Sequence, residues 1–356
     1  MNDHAEINIG VLGCGQIAQA AHFESCAKAR NARLYAICDV ADDLRDRMVA
    51  MHAPDRAYAD YDAMLDDPAV DAVIVATADA FHVPASIRAL EHGKHVLCEK
   101  PLTADLDEAD ALAAAVRASG RVFQVGHMKR YDIGLQEARR FVTDEMGDLI
   151  ALKAWYCDST HRYAMTDALQ PVIVRSDRSK PPPAPPKSDL RRYYLLAHGS
   201  HLVDTARFFG GPIAAVRARL SDEHGMHCWF VDVEFEHGAL GHLDLTVAVR
   251  MGWHEGFHIY GQHGSVVGTT FNPWQLTSSV VDIFRESDAA SYRPLGADGH
   301  FYRRQVEGFA DTILHGATSG GADIDDGVAS VRALVAISRS TVSGGWVRLD
   351  EVDGSL

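Results

Sequence analysis

Cysteine pairs, long apolar runs and positive charge are all scarce in this chain, and each scarcity excludes a class of protein. The six cysteines, Cys14, Cys26, Cys38, Cys98, Cys157 and Cys228, are scattered and form no C-x-x-C pair. Cys38 and Cys98 end apolar runs that read as buried strands, so reduced core thiols are expected. That favours a reducing compartment over a disulfide scaffold or a structural zinc site. No apolar run approaches the length of a membrane span, and the N-terminus, Met1-Asn2-Asp3-His4-Ala5-Glu6, lacks the basic region of a secretory leader. Lys and Arg number 34 against 49 Asp and Glu, a formal charge of -15. A nucleic-acid binder needs a basic face to displace counterions from phosphates. The expectation is a soluble, cytoplasmic protein that binds neither nucleic acid nor membrane. The acidity says nothing of the substrate, because a basic pocket can sit on an acidic protein.

What is present is length and order. With 356 residues, 47% of them hydrophobic, the chain is too long for one compact core and suits two domains. In its first third strands and helices alternate. Ile7 to Leu12 reads as a strand and Gln16 to about Arg30 as a helix; Arg33 to Cys38 and Ala41 to His52 repeat the pair. Ala72 to Ala76 is a continuous apolar run, as a strand covered on both faces requires. A helix over Phe81 to His92 and a strand over His95 to Cys98 follow. Asp105 opens a helix that closes at Gly120, and Val122 to Val125 is the last strand. This spacing predicts a doubly wound parallel sheet.

The turn after the first strand is Gly13-x-Gly15-x-x-Ala18, the G-x-G-x-x-A form of the dinucleotide fingerprint. Gly13 permits the tight turn, Gly15 lets backbone approach a pyrophosphate, and Ala18 keeps the helix close to the strand. Asp39 ends the second strand, where a carboxylate accepts from ribose hydroxyls and repels a 2′-phosphate. NAD is therefore favoured over NADP.

With that loop, Asp39 and the tripeptide Glu99-Lys100-Pro101, the chain resembles the Gfo/Idh/MocA oxidoreductases. Ala76-Thr77-Ala78-Asp79 with His82 is similar to the family's loop after the fourth main strand. Gly126-His127-Met128-Lys129-Arg130-Tyr131 matches the segment leaving the Rossmann domain, and His201-Leu202-Val203-Asp204 a helix of the second domain. The resemblance implies an α/β Rossmann domain over 1–126. It also implies an α+β domain over 127–356, built on a large, mostly antiparallel open sheet. Strand-like segments at Ala214–Leu220, Cys228–Phe235, Ala239–Arg250 and Gly256–Tyr260 agree. It further implies a homodimer or homotetramer, and a cofactor held by Gly13, Gly15, Gln16, Ile17, Asp39, Thr77, His82, Glu99, Lys100 and Arg130. The activity implied is hydride transfer between nicotinamide and a secondary alcohol of a sugar, sugar acid or inositol-like polyol.

Lys100 is then the catalytic lysine, since a lysine beside a carbinol oxygen stabilises the developing alkoxide or relays its proton. The family's general base is a histidine preceded four residues earlier by aspartate. Here the histidine is His201 and the aspartate position holds Ala197. His198 lies three residues from His201 and is a second candidate proton carrier. No metal is expected: His198, His201 and Asp204 match no standard zinc spacing. Ala197-His198-Gly199 is also similar to the Thr-His-Gly context of relatives that oxidise a sugar transiently and eliminate a substituent, so a cofactor-retaining glycosidase or lyase is the alternative. One segment stands apart: Asp158 to Arg192 contains Pro-Pro-Pro-Ala-Pro-Pro at 181–186 and carries Arg162, Arg175, Arg178, Lys180, Lys187, Arg191 and Arg192. Proline at this density excludes helix and central strand. A surface arm or a lid that meets a substrate anion is expected.

Overall fold

In a computed structural model, residues 6–161, 168–183 and 186–356 are described. Arg162 lies outside the described residues. The first sheet has six parallel strands in the order β3-β2-β1-β4-β5-β6. They are β1 (Ile7–Leu12), β2 (Ala32–Cys38), β3 (Arg56–Tyr58), β4 (Ala72–Val75), β5 (His95–Cys98) and β6 (Phe123–Val125). All four residues of β4 are buried, because helices cover both faces of the sheet. The helix after β5 spans Leu106–Ser119; Asp105 caps it by accepting from the N–H groups of Asp107 and Glu108, and Gly120 ends it with φ +63°. Glu108 turns its carboxylate to the Thr103 hydroxyl, so the reciprocal half of a capping box is not formed. The short strand β3 and the helix Tyr61–Leu65 escaped sequence reading, being only three and five residues long.

The second sheet has nine strands, ordered β14-β13-β12-β11-β7-β10-β9-β8-β15. They are β7 (Leu149–Ser159), β8 (Ile213–Ser221), β9 (His227–Phe235), β10 (Leu240–Val249), β11 (His254–Gly261), β12 (Gly264–Thr270), β13 (Val280–Arg285), β14 (Ala290–Tyr292) and β15 (Val347–Arg348). Every neighbour pair is antiparallel except β7 with β10. The four anticipated strands are β8 to β11, each within two residues of its expected ends. The strand in the middle of the sheet, β7, was not anticipated, although Leu152, Ala154 and Tyr156 alternate along it toward the core. The opposite face is open and exposes Phe230, Leu240, Tyr260, Val267 and Phe284.

The closing helices return to the first sheet. Phe301–His315 sets Val306, Phe309 and Ala310 in one cluster with Ile9 and Ile37, while Ile324–Ser343 packs on Leu106–Ser119 and on β8. The two sheets therefore share buried clusters, the first sheet ending at Val125 and the second starting at Leu149. Between the sheets lies the cleft.

Candidate active site

The cleft has a volume of about 750 Å³ and runs from Ile17, just past the glycine turn, to the helices that carry His201. Gly13 sits at φ +93°, where a Cβ would lie 2.9 Å from the Ala76 carbonyl oxygen. A side chain is thus excluded twice, by conformation and by contact. A Cβ on Gly15 would meet nothing within 4 Å, so the backbone there faces open space at the start of a helix. That is the cradle a pyrophosphate needs, and the residues present fit a dinucleotide. Asp39 braces the turn: one carboxylate oxygen accepts from Cys14 N–H at 2.8 Å, the other from Ala41 N–H at 2.9 Å. Gln16 and Ile17 follow, and Ile17 lines the cleft.

The loops after β4 and β5 form the next wall, with Thr77, His82, Glu99 and Lys100 lining it. The His82 ring lies between the carbonyl oxygens of Pro101, 2.8 Å from Nδ1, and Thr77, 3.1 Å from Nε2, and so ties the two loops together. Glu99 is buried against His22, with Oε1 to Nε2 at 2.9 Å. Burial alone would raise its pKa, but the hydrogen bond and charge of His22, with Lys100 beside it, bring it below the ordinary value. Lys100 donates from Nζ to the Ala197 carbonyl oxygen at 3.3 Å, spanning the cleft to the opposite wall.

That wall is a π-helical turn, Leu195–Gly199, continuing into the helix Ser200–Gly210. Ala197 and His201 both line the cleft, so the missing carboxylate is missing from the cleft side. His201 is buried and its pKa lies well below the ordinary imidazole value, first because of burial and then because Lys100 and Lys129 crowd it. His198 turns away from the cleft. Its Nδ1 lies 3.2 Å from the Tyr156 hydroxyl and 3.5 Å from Asp158 Oδ2, both supplied by β7.

The structure departs from the sequence reading at two positions. Arg130 does not line the cleft: it is buried, its guanidinium held by Asp204 at 2.7 Å and Asp326 at 2.6 Å, and so it joins helices. The same contact occupies Asp204, which a metal at His198 and His201 would have needed. His198, which the elimination alternative requires against the substrate, sits behind Tyr156.

Other cleft residues escaped sequence reading. Lys129 and Tyr156 line it, with Lys129 Nζ 4.6 Å from the centre of the Tyr156 ring. Lys129 is paired with the buried Glu255; burial draws the ammonium down and the carboxyl up, each toward neutrality. Trp253, Trp274 and Tyr302 add aromatic walls. Lys129 adjoins Arg130 in the matched segment and carried a signal. Tyr156 lay on a strand that had not been recognised.

Described residues of the proline-rich segment pack on the first domain near the glycine turn. Val174 exchanges two hydrogen bonds of 2.9 Å with the buried Gln19 side chain, Ser176 donates to Asp43, and Arg178 pairs with Asp42. Lys180 stands 4.8 Å over the Phe81 ring, and Pro182, Pro183 and Arg192 reach the cleft rim. Arg191 points elsewhere, to Asp222. Among the described residues no helix is long and apolar enough to cross a membrane.

Comparison with known proteins agrees with this architecture. Residues 7–127 match the family model for the oxidoreductase family, NAD-binding Rossmann fold, and residues 170–267 match the GFO/IDH/MocA C-terminal domain. Inositol 2-dehydrogenase 2 of Saccharopolyspora erythraea is 28% identical over 348 residues, covering 95% of this chain and 94% of its own. Myo-inositol 2-dehydrogenase of Thermotoga maritima is 26% identical, with 98% and 100% covered. A levoglucosan dehydrogenase solved with NADH and levoglucosan superposes with a TM-score of 0.76 at 20% identity, covering 97% of this chain and all of that one. With two family models covering the first sheet and part of the second, and relatives aligned nearly from end to end, the chain belongs to the GFO/IDH/MocA oxidoreductase family.

Proposed function

We propose that the protein is an NAD-dependent dehydrogenase of a secondary alcohol on a sugar, sugar acid or inositol-like polyol. One observation carries this reading: Lys100 and His201 face one cleft from opposite walls, and that cleft reaches Ile17, two residues past Gly15 of the glycine turn. Gly13, Gly15, Gln16, Ile17, Asp39, Thr77 and His82 would hold the dinucleotide, which when bound accepts or returns a hydride. Lys100 neutralises charge that develops on the carbinol oxygen, and His201 orients the hydroxyl. The aromatic walls exclude water and offer faces to the C–H surfaces of a ring substrate. The names of the inositol dehydrogenases and of levoglucosan dehydrogenase support a cyclic polyol. The open face of the second sheet supports assembly as a homodimer or homotetramer, which light scattering of the purified protein would measure.

The test is a screen of inositols, aldoses, sugar acids and glycosides, following NADH absorbance and products together. Stoichiometric NADH with an oxidised product is expected. Release of an aglycone without net NADH would overturn the reading in favour of elimination chemistry.

Two further outcomes follow from the site. Asp39→Ala should weaken NAD about 10-fold or more, as loss of a charged hydrogen-bond partner does, and narrow the preference over NADP. Because Asp39 also braces Cys14 N–H, Asp39→Asn separates the effects: it keeps an acceptor and removes the charge, so mainly the NAD/NADP ratio should move. An unchanged ratio in a titration of both cofactors removes Asp39 from the ribose site. Arg192→Ala should raise KM for an anionic sugar several-fold and leave a neutral one unchanged, whereas Arg191→Ala should do neither. Equal effects on both substrates would assign Arg192 a structural role.

A further inference from the structure

Oxidation of an alcohol releases a proton, and the fold treats the two neighbouring histidines differently as places to put it. A proton on His201 would be buried, and would face Lys100 and Lys129. At His198 the surroundings are the reverse. The ring and Asp158 are 3% and 2% exposed, and the carboxylate lies 3.5 Å from Nδ1, where attraction is weakly screened. Tyr156 connects this pair to the cleft. Its ring lies face to face with His201, centroids 5.8 Å apart and planes 4° from parallel, while its hydroxyl meets His198 Nδ1 at 3.2 Å. Tyr156 and Asp158 are two apart on β7 and so share one side of the strand. Around His198 stand Tyr193 and Tyr194 from the helix Leu190–Tyr194, and Lys129 Nζ lies 4.6 Å from the centre of the Tyr156 ring.

We propose that Tyr156 takes the proton of the reacting hydroxyl, with His198 and Asp158 as positioning residues behind it, so that β7 supplies the carboxylate absent at Ala197. The proposal rests on the dehydrogenase reading. As the carbinol C–H bond breaks, its electron pair leaves as hydride to the nicotinamide and the carbon–oxygen double bond forms. The hydroxyl proton passes to the Tyr156 oxygen while the phenolic proton passes to Nδ1 of a His198 ring protonated on Nε2. The imidazolium that results is paired with Asp158. Reduction runs the same path backwards.

The experiment uses the full chain with NAD and the best polyol from the screen. Tyr156→Phe removes one oxygen and keeps the ring stack. Its kcat should fall by about 10² to 10⁴, with KM, NAD affinity and thermal midpoint near wild type. His198→Asn and Asp158→Asn should each lower kcat by themselves. In the Tyr156→Phe background neither should lower it further, because groups acting in series lose their effect together. A purely structural role would instead move stability and KM, and losses would multiply. Should Tyr156→Phe fold poorly, the cycle between His198→Asn and Asp158→Asn carries the same test. Wild-type turnover with Tyr156→Phe within a few-fold of it, or multiplying losses, overturns this proposal alone. Wild type inactive on every polyol overturns the dehydrogenase reading, and this proposal with it.

Discussion

Lys100→Ala is expected to lower turnover by about 10² to 10⁴, the scale of one group acting on the reacting oxygen, while NAD binds nearly as before. The separation of the two effects follows from position. In the proposed site the glycine turn, Asp39 and the Thr77–His82 loop would hold the dinucleotide, while the Lys100 ammonium reaches across the cleft to the Ala197 carbonyl oxygen. Lys100→Arg should fail nearly as badly. It keeps the charge, but a longer, planar guanidinium cannot place it where the compact ammonium meets the Ala197 carbonyl oxygen. Steady-state kinetics with a calorimetric NAD titration would read both quantities. Turnover within a few-fold of wild type would remove the lysine from the chemistry.

The second large effect is on stability. Arg130→Met should cost about 3–5 kcal/mol, because it leaves the carboxylates of Asp204 and Asp326 in the interior without their shared partner. Arg207 reaches Asp326 at 3.1 Å and would compensate only there; Asp204, the more buried of the two, is left beside the His127 imidazole at 3.7 Å, whose pKa burial draws down. Denaturant unfolding should show a lower midpoint. NAD affinity of the folded protein should hold, since Arg130 lies outside the cleft. The opposite pattern, intact stability with weakened NAD, would return Arg130 to the cofactor site. Asp326 is also a group whose pKa lies below its ordinary value: burial would raise it, and Arg130 with Arg207 outweighs burial. The stability it contributes is present above the unfolded carboxylate pKa and is lost as pH falls through the folded one. Arg130→Met should therefore also flatten the loss of stability in acid.

Much of the first domain was legible in sequence because its signals are local. The Gly13–Ala18 turn, the continuous apolar run that became β4, and Asp39 at the end of β2 each report a backbone constraint or a two-sided burial that a few residues express by themselves. Glu99-Lys100-Pro101 marked a wall of the cleft in the same way. The second sheet was legible where strands alternate cleanly, as in β8 to β11. It was not legible at β7, whose inward Leu152, Ala154 and Tyr156 are interleaved with Trp155 and Cys157, blurring the alternation.

Which side of a helix a residue takes was beyond the sequence. Ala197, His198 and His201 are neighbours in the chain, yet the π-helical turn at Leu195–Gly199 brings Ala197 and His201 to the cleft and sends His198 back to Tyr156 and Asp158. Arg130 reads as a cofactor ligand from its neighbours in sequence. Its partners, Asp204 and Asp326, are 74 and 196 residues away, and only packing brings them to it. By itself the sequence determined the Rossmann fold and placed Asp39 and Lys100 at strand ends, because each depends on contacts within one strand–turn–helix unit. The tertiary structure alone decided which charges are paired, which histidine meets the cleft and where a replacement carboxylate stands. Those depend on burial and on contacts between distant segments, which no local pattern encodes.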